Sequence, residues 1–590
     1  MRSPKHLASG LLCLVLLGGC DQSGSAPLPA DAPVGAAAAD GMLPNSAFLP
    51  GAGAAPAHAS FEGTLQLAAA EMSTNPAQFA KRMMLDRDTQ LFPGVSLSFF
   101  THGDHLVPVD RDLIRVGSLK TGGSYWDIFV FPGRVWSEPA DGAWSRASFG
   151  FALTNPLEGE THNGVAMFLY DGDEVSDLRY QIVTLTSPFY VEEFFEAWGQ
   201  LQVRHDPAPI HGVGALQLDY ADELADKLPT LPWDELGLAV GPEALEGSDT
   251  PVSPQDIIAL ALVRDGVLYR SPCYTPFGEL PYCDDQRFGI WSASKTALGA
   301  VSMLALAQKY GPEVFDLPIL DYIDAAPPHN GWDGVTVGDA LNMATGLGEG
   351  SEVIEPNENH DGYLVRYDEW YPLASRDDKV AAILTATDHP WGPGEVFRYR
   401  DQDMFLVGVV GDAYVKEQEG PDASLWEFLA DEVYRPIGVR HPVAGLTLEP
   451  DGSIGVPLMQ GPLWSTLEYL ARIAALMQNH GEYEGRQILH RERLAELMYE
   501  TPTRGLPYGS PTDAGIRTYH MATWYLPFDA GEDCEVELPY MSGWGGQRVL
   551  MLPNGIATIR IARQGGRRGQ ALASPSVPAA LAHAMRPLCS

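Results

Sequence analysis

Residues Phe288 to Ala307, FGIWSASKTALGAVSMLALA, constrain this chain most. The run is apolar almost all round, so as a helix it must be buried on every side, inside a core that the rest of the chain supplies. Ser292 and Lys295 stand three apart at its start, which puts both side chains on one face about a turn apart. A serine hydroxyl becomes a good nucleophile when a nearby base takes its proton, and a lysine can be that base where desolvation lowers its pKa. Ile290, Trp291, Leu298 and Val301 would supply that setting. A helix N-terminus beside Ser292 would favour negative charge developing there. Ser-x-x-Lys alone is a short pattern that chance supplies, and its partners decide its meaning.

With 590 residues the chain is long enough for two domains, or two and a tail. A net charge of −39 argues against nucleic acid or an anionic membrane surface as partner. Past the N-terminal segment no apolar run reaches the roughly 18 residues of a spanning helix. Arg2, Lys5 and His6, then apolar Leu7 to Leu17, then Leu17-Gly-Gly-Cys20, resemble a bacterial lipoprotein signal. That resemblance implies removal of residues 1–19 and lipid on Cys20, hence a protein anchored in the cell envelope and facing the periplasm; Asp21 resembles an inner-membrane retention signal. An ordinary secretory signal is the alternative. Export permits disulfides among Cys273, Cys283, Cys534 and Cys589. Three pairings exist. The favoured one joins Cys273 to Cys283 in a short loop and Cys534 to Cys589 at the C-terminal tail, with free thiols as the alternative. No Cys or His spacing makes a zinc site, and no metal or cofactor is expected.

Residues 20–60, rich in Ala, Pro, Gly and Ser, read as a flexible tether. A helical opening from Leu65 to Met84 is expected. Short alternating runs follow, at Trp126–Phe131, Ala147–Leu153, Gly164–Tyr170 and Tyr180–Leu185, separated by Pro132-Gly133, Asp141-Gly142, Asn163-Gly164 and Asp171-Gly172. They make residues 61–235 a β-rich sandwich or barrel-like domain, serving support, an interface or ligand binding. His102, Asp104 and His105 read as a polar loop rather than metal ligands, and Lys120-Thr-Gly122 as a chance match to a Lys-Thr-Gly motif. Residues 236–253 read as a linker. Ile257–Val263 and Val267–Tyr269 about Asp265-Gly266 predict a hairpin. Thr336-Val-Gly-Asp339 has the form of a capping box, with Gly346 able to end that helix. Residues 348–371, acidic and aromatic with Glu355, Glu358, His360, Asp361, Tyr363, Tyr367, Trp370 and Tyr371, fit a lid or a plain surface loop. Helices are expected over Met404–Tyr414 and Trp464–Met477, and closing antiparallel strands near Thr523–Phe528, Gly543–Leu552 and Ile556–Ile561. Residues 254–590 are thus an α+β domain, an antiparallel sheet flanked by helices.

Four pieces in order, Ser292-Ala-Ser-Lys295, Thr336–Leu347, Pro393-Gly-Glu-Val-Phe-Arg-Tyr399 and Gly543-Trp-Gly-Gly-Gln547, resemble the serine hydrolases of the class C β-lactamase and D-alanyl-D-alanine carboxypeptidase (transpeptidase-like) fold. The resemblance implies that Lys295 and Tyr399 share the proton of Ser292, which attacks an ester or amide carbonyl. It implies an oxyanion hole from the backbone N–H groups of Ser292 and Gln547, and substrate contacts at Trp291, Asp401, Trp544, Gly545 and Gly546. Two positions depart from that family. Asp401 stands where an asparagine is usual, and Trp544-Gly-Gly stands where Lys- or His-Thr-Gly is usual. The latter resembles family VIII carboxylesterases and, more distantly, aminohexanoate-oligomer hydrolases, which favours esters over antibiotics or peptidoglycan. The rival of another class is a non-catalytic binding or scaffold protein of the same fold. No Gly-x-Ser-x-Gly elbow occurs, and His480, His490 and His520 lack metal spacing.

Overall fold

The structure, a computed structural model, describes residues 41–74, 89–116, 124–155, 159–172, 174–186, 196–241, 256–348, 367–498, 500, 505–508, 515–531, 534–563 and 576–589. Cys20, Lys120-Thr-Gly122 and residues 355–363 of the expected lid lie outside them.

Eleven strands of the N-terminal region form one antiparallel sheet, a half-barrel. Its long central strands, Asp127–Trp136, Ser145–Thr154, His162–Asp171 and Leu178–Leu185, pair in chain order. They are buried on both faces. One face closes over Phe61, Leu65, Phe99, Trp126 and Phe149. On the other, Phe129, Phe131 and Ala152 pack with Val443 and Trp464 of the C-terminal region. The expected helical opening at Leu65 is instead the strand Glu62–Leu67, half-buried and buried residues alternating along it, paired to Val95–His102 and Val203–Asp206. Phe61, Gly63, Leu65 and Leu67 carry the period of two that a strand requires. Ser73–Thr74 is also extended. The end of the expected tether is anchored as well. Phe48 is fully buried, and the Asn45 amide donates to Thr275 Oγ1 at 2.9 Å and to the Glu279 carbonyl at 3.1 Å. A helix that the sequence reading did not include, Val213–Asp226, lies against Val95–His102.

The C-terminal region is built on a second, nine-stranded sheet flanked by helices, the α+β arrangement expected. The hairpin Ile257–Arg264 and Val267–Arg270 forms as expected, Asp265 and Gly266 both taking positive φ in the turn. Ala557–Ala562 returns beside Ile257–Arg264, so the two ends of the region pair with each other. Thr230–Pro232 adds a parallel edge strand, and Gly237–Val240, inside the expected linker, is helical. Both favoured disulfides are present, Cys273–Cys283 and Cys534–Cys589, with Cα separations of 6.2 and 5.8 Å. Thr336 and Asp339 complete the capping box, but their helix stops at Leu341, five residues before Gly346. The expected helices are found as Asp401–Glu419 and Leu467–Gln478. In the second case Leu463–Ser465 is a strand, and the Thr466 hydroxyl caps the helix. Gly299 has no side chain to hold Met404 away, so the helix Asp401–Glu419 crosses the buried run of Ser292 at that point. This crossing sets the site.

Candidate active site

The run from Trp291 is helical but not uniformly so. A 3-10 turn, Trp291–Ala293, leads into π-helix at Lys295–Ala300 and then α-helix at Val301–Tyr310. Trp291 opens the turn at φ 51°, a conformation that costs a bulky residue energy and is held only where its surroundings insist. Two backbones insist here. A methyl group on Gly289 would meet the Gly159 carbonyl oxygen at 1.7 Å, and one on Gly543 would meet the Ile290 carbonyl oxygen at 2.0 Å. The two residues before Trp291 are therefore clamped between the N-terminal sheet and the C-terminal sheet. Thr161 Oγ1 accepts from the Gly289 N–H at 3.3 Å, strengthening the first contact. Ser292 keeps part of its surface open, whereas Lys295 is buried.

Lys295 Nζ lies 2.7 Å from Ser292 Oγ, 2.8 Å from the Gln460 carbonyl and 2.7 Å from Asp401 Oδ1. The first two are hydrogen bonds and the third is an ion-pair contact. Burial pulls the Lys295 pKa below the ordinary lysine value, and the Asp401 carboxylate opposes that pull without cancelling it. The Tyr399 ring faces Lys295 Nζ at 4.8 Å. Burial, and then the Asp401 charge, hold the Tyr399 phenol well above its usual pKa, while its hydrogen bond with Ser292 works the other way. Tyr399 is thus a protonated phenol at neutral pH. Trp524 stacks on it at 5.5 Å. Asp401 is aimed from behind by Tyr367, whose hydroxyl donates to Oδ2 at 2.8 Å.

The crossing of the two helices thus brings Ser292, Lys295, Tyr399 and Asp401 together. Trp291 adjoins them in sequence. The turn Trp544–Gly546 joins two strands whose ends, Gly543 and Gln547, pair with each other, and Gly543 touches Ile290. Trp544 is half-buried, and Gly545 and Gly546 take φ of 79° and 100°, which glycine tolerates. The Gln547 side chain is locked to the backbone of Ala562 by bonds of 2.7 and 2.9 Å, so it serves the turn rather than a ligand. His102 and His105 edge the Tyr220 ring, and Asp104 pairs with Arg134. Four parts of the site escaped the sequence reading: the Gln460 carbonyl, the stacking of Trp524, the grip of Tyr367 on Asp401, and the Gly159–Gly289 contact. Only Tyr367 carried a signal, as one aromatic in the expected lid.

The family model described as Beta-lactamase matches residues 258–567, more than half of the chain. No curated protein matches the sequence. Among solved structures, a penicillin-binding protein homologue from Caulobacter crescentus is 17% identical, covering 60% of this chain and 98% of its own, with a TM-score of 0.39. A family VIII carboxylesterase is 14% identical over 60% of this chain and 97% of its own, at 0.39. A class C β-lactamase is 12% identical over 60% and 94%, at 0.38. With its family model spanning the segment that carries Ser292, Lys295, Tyr399 and Asp401, the chain belongs to the beta-lactamase family of serine hydrolases.

Proposed function

We propose that this protein hydrolyses an ester through an acyl-enzyme on Ser292. The observation that carries the reading is the buried Lys295 amine 2.7 Å from Ser292 Oγ, its pKa lowered by burial. In its neutral form Lys295 takes the hydroxyl proton as Oγ bonds to the carbonyl carbon, and Asp401 stabilises the ammonium so formed. The oxyanion is met by the backbone N–H groups of Ser292 and Gln547; losing one such donor typically costs about 10²- to 10³-fold in rate. Tyr399 passes a proton to the leaving alkoxide as the carbonyl carbon–oxygen bond breaks and is reprotonated from Lys295. Water then attacks the acyl-enzyme with the same groups acting in reverse, releasing the acid and restoring Ser292. Trp544 at the third motif offers no cation to a substrate carboxylate, which favours esters over penicillins and D-alanyl peptides. Parallel turnover of a short-chain p-nitrophenyl ester, nitrocefin and a D-Ala-D-Ala peptide tests this. The ester should be fastest, and faster turnover of nitrocefin would overturn the ester assignment.

We further propose that the protein is exported and held to a membrane by lipid on Cys20, on the strength of the Leu17-Gly-Gly-Cys20 sequence. No helix among the described residues is long and apolar enough to cross a membrane. Labelled palmitate should enter the wild-type protein and not Cys20→Ser; equal labelling of both would remove the anchor. The N-terminal half-barrel we assign a supporting role, because its Gly159–Thr161 segment braces Gly289.

A further inference from the structure

The aromatic stack that begins at the catalytic tyrosine continues away from the nucleophile. Trp524, stacked on Tyr399, meets the Tyr508 ring edge to face at 4.6 Å, and the Tyr508 and Tyr540 hydroxyls lie 3.1 Å apart. Two guanidinium groups close this wall. Arg517 sits over the Tyr508 ring and Arg548 over the Tyr540 ring, each with Cζ 5.0 Å from the centroid. Because the two hydroxyls are 3.1 Å apart, the guanidinium groups over the two rings face one place.

Buried arginines without a carboxylate occur elsewhere among the described residues, at Arg179 and Arg287, but Arg517 and Arg548 lie at the end of the stack that begins at Tyr399. The chain carries 77 acidic residues against 38 lysines and arginines. Many of its guanidinium groups find a carboxylate, as Arg111, Arg270 and Arg472 do. Among the described residues neither Arg517 nor Arg548 has a carboxylate within ion-pair reach, and Nε of each has no acceptor. Arg548 is only 9% exposed, with a single side-chain hydrogen bond, to Ser542. A buried cation without a counter-ion is costly, and the protein bears that cost at a position next to Gln547 and across the strand pair from Ser542, two residues before Trp544. Guanidinium forks match carboxylate oxygens, and desolvation strengthens the match.

Resting on the hydrolase reading above, we propose that Arg517 and Arg548 form an anion subsite at the far end of the Tyr399–Trp524–Tyr508 wall, which selects esters carrying a carboxylate removed from the scissile carbonyl. The wall would hold the apolar spacer between the two groups. The substrates favoured are half-esters of dicarboxylic acids rather than neutral esters.

Two measurements on the full chain separate this subsite from the chemistry. The first is binding of glutarate to Ser292→Ala protein by calorimetry at constant ionic strength, with glutaramide as the uncharged control. Glutarate should bind and glutaramide should not; adding R548Q or R517Q should weaken glutarate roughly tenfold or more, with R548K intermediate. Equal binding of the two compounds, or unchanged glutarate binding in both glutamine variants, would overturn the subsite. The second is the ratio of kcat/KM for p-nitrophenyl hydrogen glutarate to that for p-nitrophenyl valerate. It should exceed roughly ten in the wild type and fall towards one in R548Q and R517Q. A wild-type ratio near one would also overturn the subsite. If neither ester turns over, the hydrolase reading fails while glutarate binding still decides the subsite. Should R548Q unfold, the more exposed R517Q carries both tests.

Discussion

Asp401 Oδ1 lies 2.7 Å from Lys295 Nζ, so the base that faces Ser292 also faces a carboxylate. An asparagine there would hold the amine in place without favouring its charged form. The aspartate raises the Lys295 pKa against the larger downward pull of burial. Catalysis through Lys295 needs the neutral amine, so activity should rise with pH through the Lys295 pKa. Asp401→Asn removes the raising charge, and the rising limb of kcat/KM should move to lower pH by roughly one unit or more. A limb that stays put or moves up would show that Asp401 does not act through Lys295.

Gly289 has no room for a methyl group against the Gly159 carbonyl at 1.7 Å. Gly289→Ala should force the N-terminal sheet and the Trp291 turn apart, and misplacing a nucleophile by about 1 Å costs on the order of 100-fold in rate. Comparing kcat/KM and melting temperature for the variant checks this. An active, well-folded Gly289→Ala would mean that the sheet does not brace the serine.

The ion pair and the glycine contact differ in how far a sequence could reveal them. Ser292 and Lys295 are three residues apart in a helical run, so their meeting follows from local geometry, as do the Asp265-Gly266 turn and the Thr336–Asp339 box. Tyr399 and Asp401 became legible through a resemblance in motif order. Gln460 approaches Lys295 from 165 residues away and offers only a carbonyl, which every residue has. Gly159 and Gly289 touch only because two sheets dock there, and no periodicity encodes that. The strand Glu62–Leu67 is a different case. Its alternation is present in Phe61, Gly63, Leu65 and Leu67, but it spans too few residues to outweigh the longer run that suggested a helix.

Cys534 and Cys589 tie the end of the chain, beyond the helix Ser576–Met585, back to the C-terminal sheet across 55 residues. A loop of that length corresponds to about 4 kcal/mol of unfolded-state entropy, an upper figure for engineered cases. Cys589→Ser should lower stability by roughly 2–4 kcal/mol in denaturant titration while leaving the Ser292 region assembled. An unchanged midpoint would show that the bridge constrains little.

Lys379 is buried under Trp370, Tyr371 and Phe405, with its ammonium over the Trp370 ring at 4.6 Å and bonded to the Tyr371 carbonyl at 2.8 Å. Burial lowers its pKa to about 7. The unfolded chain, with a lysine near its usual value, binds more protons between about pH 7 and 10, so this residue makes stability rise with pH across that window and not below it. Lys379→Met removes the effect. From pH 7 to 9 the wild type should gain on the variant by about 1 kcal/mol per pH unit in urea titration. Parallel pH dependences would show that Lys379 stays charged in the fold.

The central claim is that Ser292 is the nucleophile, and covalent capture tests it most directly. Intact-mass analysis after reaction with a fluorophosphonate should show one adduct on the wild-type protein and none on Ser292→Ala. A wild type that stays unlabelled, or a variant that labels equally, would contradict it.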